Sequence, residues 1–66
     1  MNITVNGNSK SLHDIFTVTD LLENLELSPD TVVVELNTTI IQPDSYSSVK
    51  ITENDQVEII RFVGGG

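Results

Sequence analysis

Residues 18–25 read VTDLLENL, and their spacing indicates an amphipathic helix. Apolar side chains recur at positions i, i+3, i+4 and i+7, on one helical face: Val18, Leu21, Leu22 and Leu25. Thr17 can cap the start, and Asp20, three residues later, completes an acidic capping box. Pro29 ends the helix by Leu27, because the residue before a proline avoids the α region. The sequence therefore predicts one main helix of about ten residues.

Strand patterns flank this helix on both sides. Before it, the alternation in residues 2–6 and the pair Asn6-Gly7 predict a strand, a type I′ turn and a second strand over residues 9–12. After it, a strand rich in β-branched residues is expected over 31–37 and the last strand over 56–63. Shorter strands are expected at Ile40 and Ile41 and over residues 49–52, with a polar loop or single helical turn over 44–48. Two aromatic residues, Phe16 and Tyr46, are expected to cover the ends of the core.

This order of elements predicts an α+β fold. A single helix cannot cover both faces of a sheet, so it should pack on one face of a mixed four- to five-stranded sheet. The first and last strands can then lie parallel in the middle, with the helix in the connection between the two halves. That arrangement is the β-grasp, or ubiquitin-like, roll. The domain is expected to span residues 1–63, followed by a flexible glycine tail over 64–66.

Composition narrows the classes of function. The 66 residues carry a net charge of −7, with three Lys and Arg against ten Asp and Glu. Nucleic-acid binding is not expected, because it depends on clustered basic residues, whereas a basic partner protein suits an acidic surface. The chain has no cysteine and one histidine, so neither a metal site nor a catalytic dyad is expected. Without a signal peptide or a membrane-length apolar run, a cytoplasmic location is the expectation.

The last predicted strand breaks its alternation at Ile59-Ile60. Ile60 and Phe62 then share a face with Glu58, on the side of the sheet that has no helix. Exposed apolar residues of this kind often mark a partner surface, so we expect Ile60, Phe62 and Val63 to dock a partner with Glu58 at the rim. The alternative is that neighbouring strands and loops cover these side chains.

Three glycines follow this strand: Gly64, Gly65 and Gly66. They are consistent with a flexible end of no function, because glycine has the largest conformational entropy to lose. They also suit insertion into a narrow channel of another protein, because a backbone without side chains is thin. Extended, three residues reach about 10 Å and would deliver the Gly66 carboxylate.

Three segments together resemble the ThiS family of sulfur-carrier proteins of thiamine biosynthesis. They are MNITVNG at 1–7, VVVELN at 32–37 and DQVEIIRFVGGG at 55–66. Members of that family often have Gly after the Asn of the second segment, where this chain has Thr38. Because a β-branched residue tolerates positive φ badly, the turn at Asn37-Thr38 is not expected to be of type I′.

The resemblance implies a carrier and not an enzyme. A ubiquitin-activating-like enzyme would use ATP and Mg²⁺ to adenylate the Gly66 carboxylate, and the chain itself would bind no cofactor. Sulfur from a cysteine desulfurase route would then give a thiocarboxylate, which donates sulfur to thiazole synthase. A sulfur carrier for another pathway, of the molybdopterin type, and a ubiquitin-like protein modifier remain alternatives, as does a plain interaction module.

Overall fold

Five strands form one mixed sheet in the computed structural model, which describes residues 1–62. The strands are β1 (Asn2–Val5), β2 (Asn8–Ser11), β3 (Val32–Leu36), β4 (Thr39–Ile41) and β5 (Gln56–Arg61). Their order across the sheet is β2-β1-β5-β3-β4. The central pair, β1 and β5, is parallel, whereas β2, β3 and β4 each pair antiparallel to a neighbour. The predicted α+β class, the β-grasp topology and the parallel central pair are therefore confirmed.

The helix α1 (Val18–Asn24) is shorter than predicted. Its start is as predicted: the Thr17 hydroxyl accepts from the Asp20 N–H, and the Asp20 carboxylate accepts from the Thr17 N–H. Its end is earlier, because Glu26 adopts a left-handed φ of 59° and turns the chain. The N–H groups of Glu26 and Leu27 donate to the carbonyls of Glu23 and Leu22, at 3.0 and 2.9 Å. This pair of bonds is a Schellman motif, which ends the helix before Pro29 can do so.

Both hairpin turns contain two residues with positive φ. Asn6 and Gly7, at 50° and 81°, confirm the predicted type I′ geometry. Asn37 and Thr38, at 50° and 74°, have the same pattern, so the expectation for this second turn is wrong. A two-residue connection between twisted antiparallel strands favours this geometry. Here the pairing of Leu36 with Thr39 imposes it on a threonine.

The core lies between α1 and one face of the sheet. Its fully buried side chains come from the helix and from the strands facing it: Val18, Leu21, Leu22, Val34 and Val57. Tyr46 joins this core, but Phe16 is 67% exposed, so its predicted place at the end of the core is wrong. Ile15 occupies that inward position, and the extended chain directs the next side chain outward.

The segment between β4 and β5 contains less sheet than predicted. Residues 49–52 do not form a strand, and Lys50 only makes an isolated bridge with Thr17. Two backbone bonds flank this bridge: the Val18 N–H donates to the Val49 carbonyl, and the Ile51 N–H donates to the Phe16 carbonyl. The expected single helical turn is a 3₁₀ helix, Pro43–Ser45. A second 3₁₀ helix, Pro29–Thr31, leads into β3. None of the helices in residues 1–62 is long and apolar enough to cross a membrane.

Candidate docking surface

Strand β5 presents different side chains to the two faces of the sheet. Val57 and Ile59 point to the helix and are 1% and 7% exposed. Ile60 and Phe62 are 54% and 53% exposed, and Glu58 is exposed as well. The predicted register of β5 is therefore confirmed, and the alternative that neighbouring elements of the described chain cover Ile60 and Phe62 is wrong. Their role in docking stays a prediction.

The neighbouring strands extend this apolar surface. Val33 is the register partner of Ile60, and both lie on the face opposite the helix. Ile40, which is 57% exposed, belongs to the same face because it pairs with Glu35, two residues after Val33. We call the four apolar residues of this face the open-face patch: Val33, Ile40, Ile60 and Phe62. Sequence reasoning missed Ile40 and Val33, because their place in the patch follows from the pairing of β4 with β3 and of β3 with β5.

Two carboxylates border the open-face patch. Glu35 of β3 and Glu58 of β5 are direct register partners across the sheet. Like charges directly opposite each other destabilise a strand pair. The open-face patch therefore combines apolar side chains with two neighbouring carboxylates.

Two asparagines hold β5 at its two edges. The Asn6 side chain accepts from the Ile59 N–H at 2.7 Å and donates to the Ile59 carbonyl at 3.2 Å. The Asn37 side chain accepts from the Gln56 N–H at 2.9 Å and donates to the Asp55 carboxylate at 3.0 Å. The sequence marked both residues only as turn formers. A side-chain bond to a strand 53 residues away leaves no signal in the local pattern.

The remaining predicted site residues, Val63, Gly64, Gly65 and Gly66, lie outside the described residues. Their proposed docking and carrier roles stay predictions. Within residues 1–62 no cluster of three His, Asp or Glu side chains could hold a metal ion.

Comparison with known proteins agrees with this architecture. The sequence model of the ThiS family matches residues 3–66. The sulfur carrier protein ThiS of Bacillus subtilis (strain 168) is 42% identical over 53 residues, which is 80% of each chain. The crystal structure of the thiamine biosynthesis protein ThiS from Geobacter metallireducens superimposes with a TM-score of 0.85 at 33% identity, covering 100% of both chains.

Longer proteins also contain a similar region. The thiazole synthase of Magnetococcus marinus is 35% identical over 66 residues, which is 100% of this chain and 20% of that protein. The chain thus spans about a fifth of the length of such relatives. The match to the family model over almost every residue and the similarity to two ThiS proteins agree with the observed fold. The chain therefore belongs to the ThiS family.

Proposed function

We propose that this protein is a sulfur carrier in thiamine biosynthesis and that Gly66 carries the sulfur as a C-terminal thiocarboxylate. The observation behind this proposal is the match to the ThiS family, which extends through the glycines to residue 66. On this proposal the chain is a substrate and sulfur donor for other enzymes, with no catalytic residue of its own.

The chemistry begins with the state of the Gly66 carboxylate. A free α-carboxyl group has a pKa of about 3.5, so at neutral pH it is an anion and a poor electrophile. An adenylating enzyme of the ubiquitin-activating type would use ATP and Mg²⁺ to activate it. The carboxylate oxygen attacks the α-phosphorus of ATP, and pyrophosphate leaves. The acyl-adenylate that results has AMP as its leaving group.

Sulfur then replaces AMP. The terminal sulfur of a persulfide, supplied through a cysteine desulfurase, attacks the acyl carbon and expels AMP. A second thiol reduces the acyl disulfide that forms, which releases the thiocarboxylate and leaves a disulfide on the sulfur donor. This chain has no cysteine, so both thiols must belong to its partners.

The open-face patch is the proposed contact with the adenylating enzyme. Ile60 lies near the end of β5, and Phe62 directly follows this strand and precedes Val63 and the glycines. A partner that holds Ile60, Phe62 and Val63 can therefore receive the following tail. Glu58 at the rim is expected to guide the encounter with a basic surface, because rim charges affect the association rate more than the affinity.

Thiazole synthase is the proposed acceptor of the sulfur. The supporting observation is that a region similar to this whole chain forms part of the thiazole synthases of Magnetococcus marinus and Paramagnetospirillum magneticum. A sulfur carrier and a synthase that occur in one polypeptide are expected to act on each other when they are separate.

The intact mass of the protein isolated from its host tests this proposal. One sulfur in place of one oxygen at Gly66 is the expected result, in cells with an adequate sulfur supply. A branched peptide joining Gly66 to a lysine of another protein would instead identify a modifier. An unchanged carboxylate would contradict both functions and leave the interaction module. If the thiocarboxylate forms but thiazole synthase does not consume it, the carrier serves another pathway.

A further inference from the structure

The second half of β5 has less backbone support than the first half. Strand β1 pairs with β5 only as far as Val5 opposite Val57, and the chain then turns away at Asn6 and Gly7. The last backbone bond across this edge runs from the Asn6 N–H to the Val57 carbonyl, at 2.9 Å. Residues of β5 beyond Val57 must find other partners on this side.

The Asn6 carboxamide supplies those partners at Ile59. Its oxygen takes the place of the carbonyl, and its nitrogen the place of the N–H, that a longer β1 would offer. One side chain thus satisfies both polar groups of the Ile59 backbone. The opposite edge of β5 is held by β3, with a final bond from the Phe62 N–H to the Thr31 carbonyl at 2.9 Å. Without Asn6, the end of β5 would be held along one edge only.

We propose that Asn6 is a positioning residue for the C-terminal segment. It fixes the β5 backbone one residue before Ile60 and three before Phe62, and so sets the orientation of these side chains and the direction in which the chain leaves the sheet. Only the purpose of this positioning, which is delivery of Gly66 to the adenylating enzyme, rests on the proposed function.

Asn37 provides a matched control in the same molecule. Like Asn6, it is the first residue of a two-residue turn, has a φ of 50° and accepts a bond from a β5 N–H. Its bond is at Gln56, at the beginning of β5 and far from the segment that leads to Gly66. Replacement of either residue by glycine keeps the turn, because glycine adopts positive φ freely, and removes only the carboxamide.

Amide hydrogen exchange of the free protein tests the positioning directly. In Asn6→Gly the Ile59 amide should exchange faster by about tenfold or more after correction for global stability, and the backbone amides of Arg61 and Phe62 should become more mobile in ¹⁵N relaxation. In Asn37→Gly the Gln56 amide should lose protection while Ile59 keeps it. Unchanged exchange at Ile59 in Asn6→Gly would overturn the proposal.

The rate of adenylation tests the use of this positioning. Docking of Asn6→Gly must order the end of β5, which is already ordered in the wild type, so the KM for the carrier should rise about tenfold with kcat changed less than about twofold. Asn37→Gly should keep the wild-type KM within about twofold. An equal rise in KM in both variants would show that Asn6 has only a structural role. If the wild type itself is not adenylated, the proposed function fails, while hydrogen exchange still decides the positioning.

Discussion

Thr38 occupies a backbone conformation that its side chain disfavours. Its φ of 74° lies in the left-handed region, where a β-branched residue is strained. Thr38→Gly should therefore raise the free energy of unfolding by about 1 kcal/mol, because relief of the strain exceeds the entropy that glycine adds to the unfolded chain. Urea denaturation measures this difference.

Gly7 allows the reverse experiment in the other hairpin. It is the second residue of its turn, as Thr38 is, and a Cβ at this position would meet nothing within 4 Å. Gly7→Thr should therefore destabilise the protein by about 1–2 kcal/mol through backbone strain alone. A loss from Thr38→Gly, or no loss from Gly7→Thr, would show that turn strain does not govern these hairpins.

The cap of α1 makes the stability of the protein depend on pH. The Asp20 carboxylate accepts from the N–H groups of Phe16 and Thr17, at 2.9 and 3.0 Å. These two backbone bonds, the Phe16 bond contributing most, lower the pKa of Asp20 below its usual value of 3.8. A lowered pKa in the folded state means that the bonds stabilise the protein above the unfolded-state pKa and lose their effect as the pH falls through the folded-state pKa.

Asp20→Asn tests this cap. The wild type should have the higher Tm at pH 7, and the difference between the two proteins should shrink as the pH falls below about 4. Thermal unfolding followed by circular dichroism at several pH values provides the measurement. Glu23→Gln, which removes a negative charge from an exposed position of the same helix, controls for net charge. A difference that is constant from pH 7 to pH 3 would show that the carboxylate bonds contribute nothing.

Local patterns predicted most of these elements because each pattern has a local cause. Asn6-Gly7 forms its turn, and Thr17 with Asp20 caps the helix, through contacts between near neighbours in sequence. The Thr38 turn was mispredicted because the pairing of Leu36 with Thr39 overrides the preference of the threonine itself. Phe16 was mispredicted because its neighbour Ile15 takes the inward position. In the candidate docking surface, the alternation of β5 predicted the exposure of Ile60 and Phe62. The place of Ile40 could not be predicted in this way, because it depends on the pairing of β4 with β3 and of β3 with β5.

If the proposed function holds, affinity for the adenylating enzyme should depend on the open-face patch. Phe62→Ala should weaken binding by about 1–3 kcal/mol, because apolar anchors at an interface centre contribute most of its affinity. Its unfolding free energy should change by less than about 0.5 kcal/mol, because the side chain is half exposed. Calorimetric titration and urea denaturation of the same variant provide the two measurements.

Phe16→Ala is the matched control for this variant. Phe16 is also an exposed aromatic residue, but it lines the same surface cavity as Met1, the residue that precedes β1. Because β1 and β5 are parallel, that end of the sheet is opposite the end where β5 leads to the tail. Binding should therefore change by less than about 0.5 kcal/mol. Equal losses of affinity in the two variants would contradict the assignment of the docking surface.

Deletion of Gly66 is expected to separate folding from the proposed carrier chemistry. Residues at a chain end contribute little to stability, so the Tm should stay within about 2 °C of the wild type. Adenylation should be abolished, because the new carboxylate is withdrawn by about 3.5 Å from the position of the original one. Pyrophosphate exchange with the adenylating enzyme measures the loss, and a normal rate in the shortened protein would contradict insertion of the tail.

The central place of β5 has a consequence for the order of folding. The hairpins β1–β2 and β3–β4 can each form from neighbouring residues, but no strand pairing joins them until β5 enters between β1 and β3. Contacts so distant in sequence form late, because the loop that they close costs entropy before they form. In a nascent chain on the ribosome the two hairpins therefore cannot pair into one sheet until β5 has been synthesised. The strand that completes the fold also leads to the glycines, so a chain interrupted before β5 has neither a finished sheet nor the proposed site of adenylation.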